Sequence, residues 1–109
     1  MAQFDVHRNQ GLQRDTMPFV VLVQSGKYDS YRGRVVVPLV RRSALSATTP
    51  TVGSRLNPVL SVQGLDLVLH PLDMGSVAVD QLGDYVASLA SQGELIVQAL
   101  NELLSSTSA

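Results

Sequence analysis

The sequence contains no cysteine and no tryptophan. Without cysteine there can be no disulfide framework, no thiolate nucleophile and no Cys-based zinc site, a composition that fits a reducing cytosol. Aromatic residues make up 5% of the chain, with two Phe and three Tyr, so there is little for nucleobases to stack on. Neither Lys nor Arg occurs beyond Arg55. The apolar runs are of strand length, well short of the roughly 18–20 residues a membrane-spanning helix needs. Met1–Gln10 has no apolar stretch and carries Asp5, which argues against a secretory signal. The glycines stand singly, so there is no Gly-rich phosphate loop, and neither Gly-x-Ser-x-Gly nor His-Glu-x-x-His occurs.

What remains is a chain of 109 residues, the size of one domain spanning 1–109, with 105–109 expected to be a mobile tail. Sixteen Val and sixteen Leu supply its core almost alone. The charge is divided along the chain. Residues 1–55 hold all eight basic residues and three acids, a net charge of +5, while residues 56–109 hold six acids and no base. If strands from the two halves are neighbours, many of these charges should pair across a sheet.

The first two-thirds reads as strands. Gln3–His7 alternates, with Phe4 and Val6 on one face. Gly11–Pro18 is polar and suits a loop or a small projecting hairpin. Phe19–Val23 is a continuous apolar run, as in a central strand buried on both faces. Ser25–Gly33 is a loop by composition, and Arg34–Val40 is a strong strand in which Pro38 marks a bulge or an edge. Arg41–Gly53 is irregular. Val59–Val62 and Leu65–Leu69 flank Gln63-Gly64, a hairpin signal. Ser76–Val79 adds a short strand, and Leu82–Ala90 reads as an irregular or briefly helical connector.

The period then changes. Leu95, Ala99 and Leu103, with Ile96, Leu100 and Leu104, form an apolar helical stripe that serves as core or as a dimer seam. Ser91-Gln92-Gly93-Glu94 has the form of a capping box, and Gly93 weakens the first turn. The pattern predicts a mainly β protein with a C-terminal α-helix, built as a small antiparallel barrel or rolled sheet.

Few residues here carry chemistry. His7 and His70 are the two imidazoles, and they read as ordinary strand or strand-end residues; no metal site and no cofactor is expected. Arg32-Gly33-Arg34 and Arg41-Arg42 suit bidentate recognition of phosphate or carboxylate, or else they are solvated charges paired with acids of the second half. Tyr28 and Tyr31 are the stacking candidates beside Arg32.

The order of several stretches resembles the CcdB family of toxins. They are Gln3-Phe4-Asp5-Val6, Phe19 to Ser25, Arg34 to Leu39, Asn57-Pro58-Val59, Leu72 to Val77, and the closing helix with Ala99-Leu100-Asn101. The resemblance spans residue 3 to about residue 104. It implies a homodimer of SH3-like barrels of the CcdB/MazF type with a small projecting sheet. It also implies a cytoplasmic, often plasmid-maintaining toxin of a type II toxin–antitoxin system. Such a toxin inhibits the topoisomerase DNA gyrase through its GyrA subunit without being an enzyme. A CcdA-like antitoxin neutralises it with a flexible tail, and the complex regulates its own transcription, so DNA is met only indirectly.

Carried onto this chain, gyrase contacts fall on Lys27, Tyr28, Asn101, Ser105, Ser106 and Thr107. Well-known members end their helix in Trp-Gly-Ile where this chain has Ser105-Ser106-Thr107. The basic residues Arg32, Arg34, Arg41 and Arg42 are the candidates for receiving an acidic antitoxin tail. One alternative is a member that dimerises and binds antitoxin without poisoning gyrase. Another follows from the related MazF/Kid toxins, metal-independent endoribonucleases on the same barrel; Arg32, Arg34, Asp29 and His70 could be recruited to that chemistry.

Overall fold

In the computed structural model, residues 1–11, 13–45 and 52–105 are described. The elements are β1 (Asp5–Arg8), β2 (Phe19–Leu22), β3 (Gly33–Arg41), β4 (Val59–Val62), β5 (Leu65–Leu69), β6 (Gly75–Ala78), β7 (Tyr85–Ser88) and α1 (Gly93–Ser105). The seven strands of the described residues form one antiparallel sheet with the path β4-β5-β3-β2-β1-β7, and β6 pairs with β3 off that path. The sheet curls into a half-barrel with α1 on its inner side. The expected fold class therefore holds.

The curl follows from β3, the long central strand. Its first half, Gly33–Val36, pairs with β6 as Gly33↔Ala78 to Val36↔Gly75. Its last residues, Leu39–Arg41, pair with β5 as Leu39↔Leu69 to Arg41↔Leu67. Between them the neighbouring chain leaves the sheet in a 3-10 turn at Pro71–Asp73. Pro38 sits where that edge changes partner. It has no N–H to offer a ladder, and its carbonyl is met by the His70 N–H at 3.1 Å. The expected bulge or edge is thus a change of neighbour inside a central strand, and β3 with β6 forms a small wing.

β2 is buried along its whole length, as a run of Phe19-Val20-Val21-Leu22 requires. The inner face gathers Val6, Val21, Val37, Leu39, Leu60 and Leu67 with Ile96 and Ala99 of the helix. A smaller cluster on the other face joins Val20, Leu22 and Val36 to Val77 and Leu82 beneath the wing. The hairpin at Gln63-Gly64 has both turn residues at positive φ, 51° and 80°, the signature of a two-residue type I′ turn. Across the open seam, Gln63 Nε2 donates to the Val86 carbonyl of β7 at 3.3 Å. Near it, Gln92 Nε2 reaches Ser61 O of β4 at 3.5 Å. Glutamine side chains therefore span the gap that a closed barrel would bridge with backbone bonds.

Three expectations need correction. Leu82–Ala90 contains a strand, since β7 pairs with β1 from Asp5↔Ser88 to His7↔Tyr85. Its Tyr and Val favour extended chain, but four residues are too few to show a period. The helix entry is also different, because Ser91 lies inside a 3-10 turn at Ala90–Gln92 and Ser88 Oγ accepts the Ala90 N–H at 3.2 Å. The core-facing stripe is narrower than six residues. Ile96 and Ala99 are fully buried, whereas Leu95 is 42% and Leu104 73% exposed. At about 100° per residue, Ile96, Ala99, Leu100 and Leu103 form one arc, and Leu95 and Leu104 fall on opposite sides of it.

Candidate partner-binding site

The Ser25–Arg32 segment, between β2 and β3, carries Lys27 and Tyr28. Every residue in it is exposed. Ser25 starts it by accepting the Lys27 N–H on its hydroxyl at 3.3 Å, and a 3-10 turn spans Gly26–Tyr28. The Tyr28 N–H donates to Ser25 O at 3.0 Å, and the Tyr31 N–H to Tyr28 O at 3.1 Å. Gln24 braces the turn from the strand side: its Nε2 donates to Tyr28 O and its Oε1 accepts the Val35 N–H, both at 3.0 Å. The rings of Tyr28 and Tyr31 lie 6.1 Å apart at 39°, and the Lys27 ammonium stands 5.9 Å from the Tyr28 ring. Tyr31, 64% exposed, is more open to solvent than Tyr28.

Arg34 proves to be an internal residue. It is 6% exposed, and its guanidinium turns back on the preceding loop. Nη2 donates to Asp29 O at 2.7 Å, and Nη1 donates to Gly33 O at 3.1 Å and to Tyr31 O. Its Nε stands 3.9 Å from an Asp29 carboxylate oxygen. Arg32 is solvent-facing and pairs with Asp80 at 3.2 Å, one place where the basic half meets the acidic half. Arg41 Nε donates to Asp15 O at 2.9 Å, and Arg42 opens the 3-10 turn Arg42–Ala44. Arg34 and Arg41 are seven residues apart on one strand, roughly 23 Å at about 3.3 Å per residue. The four arginines therefore fall into two groups at opposite ends of β3, and Arg34 has no free face for a partner.

On α1, Asn101 is exposed and lies between Val97 and Leu104 in an i, i+4, i+7 row. Val97 is 43% and Leu104 73% exposed, so the row is an apolar strip around a polar centre. Ser105 ends the helix, and Ser106 and Thr107 lie outside the described residues. The resemblance singles out Asn101 but not Val97, and Tyr31 stood out only as a stacking candidate beside Arg32. The spacing of Val97, Asn101 and Leu104 was the available signal.

The remaining polar groups are placed as strand residues. His7 is buried, with Nδ1 3.0 Å from Gly83 O and its ring edge-on to Tyr85. His70 follows β5, with Nδ1 3.1 Å from an Asp73 carboxylate oxygen. Among the described residues no group of three or more His, Asp or Glu could hold a metal ion. No described helix is long and apolar enough to cross a membrane. On the outer face a cavity of about 200 Å³ has a floor of Val20, Val77 and Leu82 and a rim of Arg8, Asn9 and Gln81. None of the predicted site residues lines it.

A curled antiparallel half-barrel with a β3-centred wing and one C-terminal helix defines the class: a small domain of the CcdB/MazF fold. The family model described as CcdB protein matches residues 3–106, and the chain belongs to that family. Among solved structures it is similar to an endoribonuclease in complex with its cognate antitoxin from mycobacterial species. The TM-score is 0.71 at 18% identity, over 95% of this chain and 94% of the other. No curated protein matches the sequence.

Proposed function

We propose that this protein is the toxin of a type II toxin–antitoxin system and acts by binding the GyrA subunit of DNA gyrase and inhibiting the enzyme. Membership of the CcdB family over residues 3–106 carries this reading. The surface supports it. Tyr28 beside Lys27, and the Val97–Asn101–Leu104 row ending at Ser105, expose aromatic and apolar area where the family resemblance places gyrase contacts. Tyrosine gives large contact area at low entropic cost, which offsets part of what serine cannot supply at positions 105 and 106. The protein works as a homodimer, and an antitoxin with an acidic tail neutralises it. Of the basic candidates we assign Arg32, Arg41 and Arg42 to that tail and leave out the buried Arg34.

The similar structure contains an endoribonuclease, but its 18% identity carries the fold alone. Here Arg34 is buried and turns both Nη groups to loop carbonyls, so it presents no fork to a phosphate. The decisive experiment is a supercoiling assay with purified gyrase, paired with binding to the GyrA breakage-reunion domain. Inhibition together with binding is expected. Antitoxin binding without either would leave a family member that no longer poisons gyrase. Cleavage of long single-stranded RNA in EDTA would establish the ribonuclease instead.

A further inference from the structure

Arg34 is a buried cation at the base of a solvent-exposed loop. Burying a guanidinium is unfavourable unless its donors are taken up. Here the carbonyls that take up its two Nη groups belong to Asp29, Tyr31 and Gly33, all within five residues before Arg34 itself, while Nε has only the Asp29 carboxylate at 3.9 Å. The arginine is fixed in the sheet, where it sits opposite Val77 of β6. Its planar fork thus ties the loop to a rigid strand. No apolar anchor takes that role, because no residue from Ser25 to Arg32 is buried. The loop's shape rests on Arg34, on the Gln24 brace and on its own turn bonds, and its last residue is tied down where Arg32 O accepts the Val79 N–H at 2.9 Å and the Arg32 side chain meets Asp80. Tyr28 and Tyr31 ride on that shape.

We infer that Arg34 is a positioning residue for partner binding: it holds Ser25–Arg32 in one conformation, so that Tyr28 and Tyr31 meet a protein surface as a rigid aromatic pair. The inference rests on the proposal that this loop contacts gyrase, and it adds Tyr31 to the contact and Arg34 behind it. A loop ordered in advance loses less freedom on binding, which raises affinity without any new contact.

The test uses Arg34→Gln and Arg34→Lys in the full chain. Amide hydrogen exchange reads the loop, and binding kinetics to the GyrA breakage-reunion domain read the function. In both variants the Tyr28, Asp29 and Tyr31 amides should exchange at least tenfold faster, while those of Val20, Val21 and Leu67 stay within twofold. The Arg34→Lys variant keeps the charge but has no fork to span three carbonyls, so it should not restore protection. GyrA affinity should fall at least tenfold through slower association, whereas Tyr31→Ala should lose it through faster dissociation. Unchanged loop exchange, full rescue by lysine, loosening of loop and strands together, or unchanged GyrA binding with a loosened loop would each overturn the inference. If the unaltered protein does not bind GyrA, the gyrase reading falls, and the exchange measurements still decide whether Arg34 fixes the loop.

Discussion

Gly93 lies directly against the ring of Phe4: a Cβ built on Gly93 would come 2.7 Å from Phe4 Cε2. The backbone that carries the ring is held on both sides. Phe4 sits at φ 72°, its N–H donates to Leu22 O at 2.6 Å, and its carbonyl accepts the Leu89 N–H at 2.8 Å. The residue before β1 and the first residue of α1 therefore hold the helix onto the sheet. Helix propensity alone favours Gly93→Ala by up to about 1 kcal/mol. Crowding at the ring costs typically about 1–3 kcal/mol, so the variant is expected to be less stable by about 1 kcal/mol in urea unfolding. In a Phe4→Leu background, where the ring is gone, the same change should become neutral or stabilising. A similar loss in both backgrounds would dissociate Gly93 from Phe4.

Gly64 offers a cleaner backbone test. It stands at φ 80° with nothing within 4 Å of where a Cβ would be, so substitution meets no clash. The cost of Gly64→Ala is then that of a left-handed L-residue, about 1–2 kcal/mol. Chemical denaturation should show a lower midpoint at unchanged slope. Any change larger than that would mean the hairpin register had moved.

These two glycines show how far the sequence reaches. Gln63-Gly64 between apolar runs is a local signal, and the turn forms as expected because two residues at positive φ suffice to make it. Gly93 has no such signature, since its reason is a ring 89 positions away. The same division runs through the site. Lys27, Tyr28 and Asn101 are candidates through the resemblance alone, and the exposed strip beside Asn101 follows from helical spacing. Arg34 was misplaced because alternation along a strand says which face a residue takes, not whether carbonyls await it there. β7 was missed because four residues do not make a period, and pairing with β1 decides its conformation.

The Arg32–Asp80 pair should contribute little to stability. The two side chains are 76% and 59% exposed, and such pairs are worth about 0–1 kcal/mol. Asp80→Ala is expected to shift unfolding by no more than about 0.5 kcal/mol. It uncovers Arg32, however, and so should speed association with an acidic antitoxin tail. Stopped-flow measurements from low to high salt are the check. The gain should shrink as salt rises, because screening weakens exposed charges most. Association that is insensitive to salt would remove the basic group at the start of β3 from the antitoxin site.

The helix separates packing from recognition most sharply. Ile96 is fully buried in the main core, so Ile96→Ala should cost about 2–5 kcal/mol, read by thermal or chemical unfolding. Val97 and Leu104, flanking Asn101, are 43% and 73% exposed and give up little burial when changed. Leu104→Asp should therefore leave the folded spectrum and the unfolding midpoint nearly unchanged. If the strip touches gyrase, the same variant should bind GyrA at least tenfold more weakly at unchanged sedimentation, since a carboxylate cannot be desolvated against an apolar partner without a large penalty. If the strip is instead the seam between two copies, Leu104→Asp should convert the sedimenting species to monomer before any loss of GyrA binding is measured. A variant that neither weakens GyrA binding nor changes sedimentation would show that this face of α1 meets no partner, and would leave the Tyr28–Tyr31 loop as the contact surface.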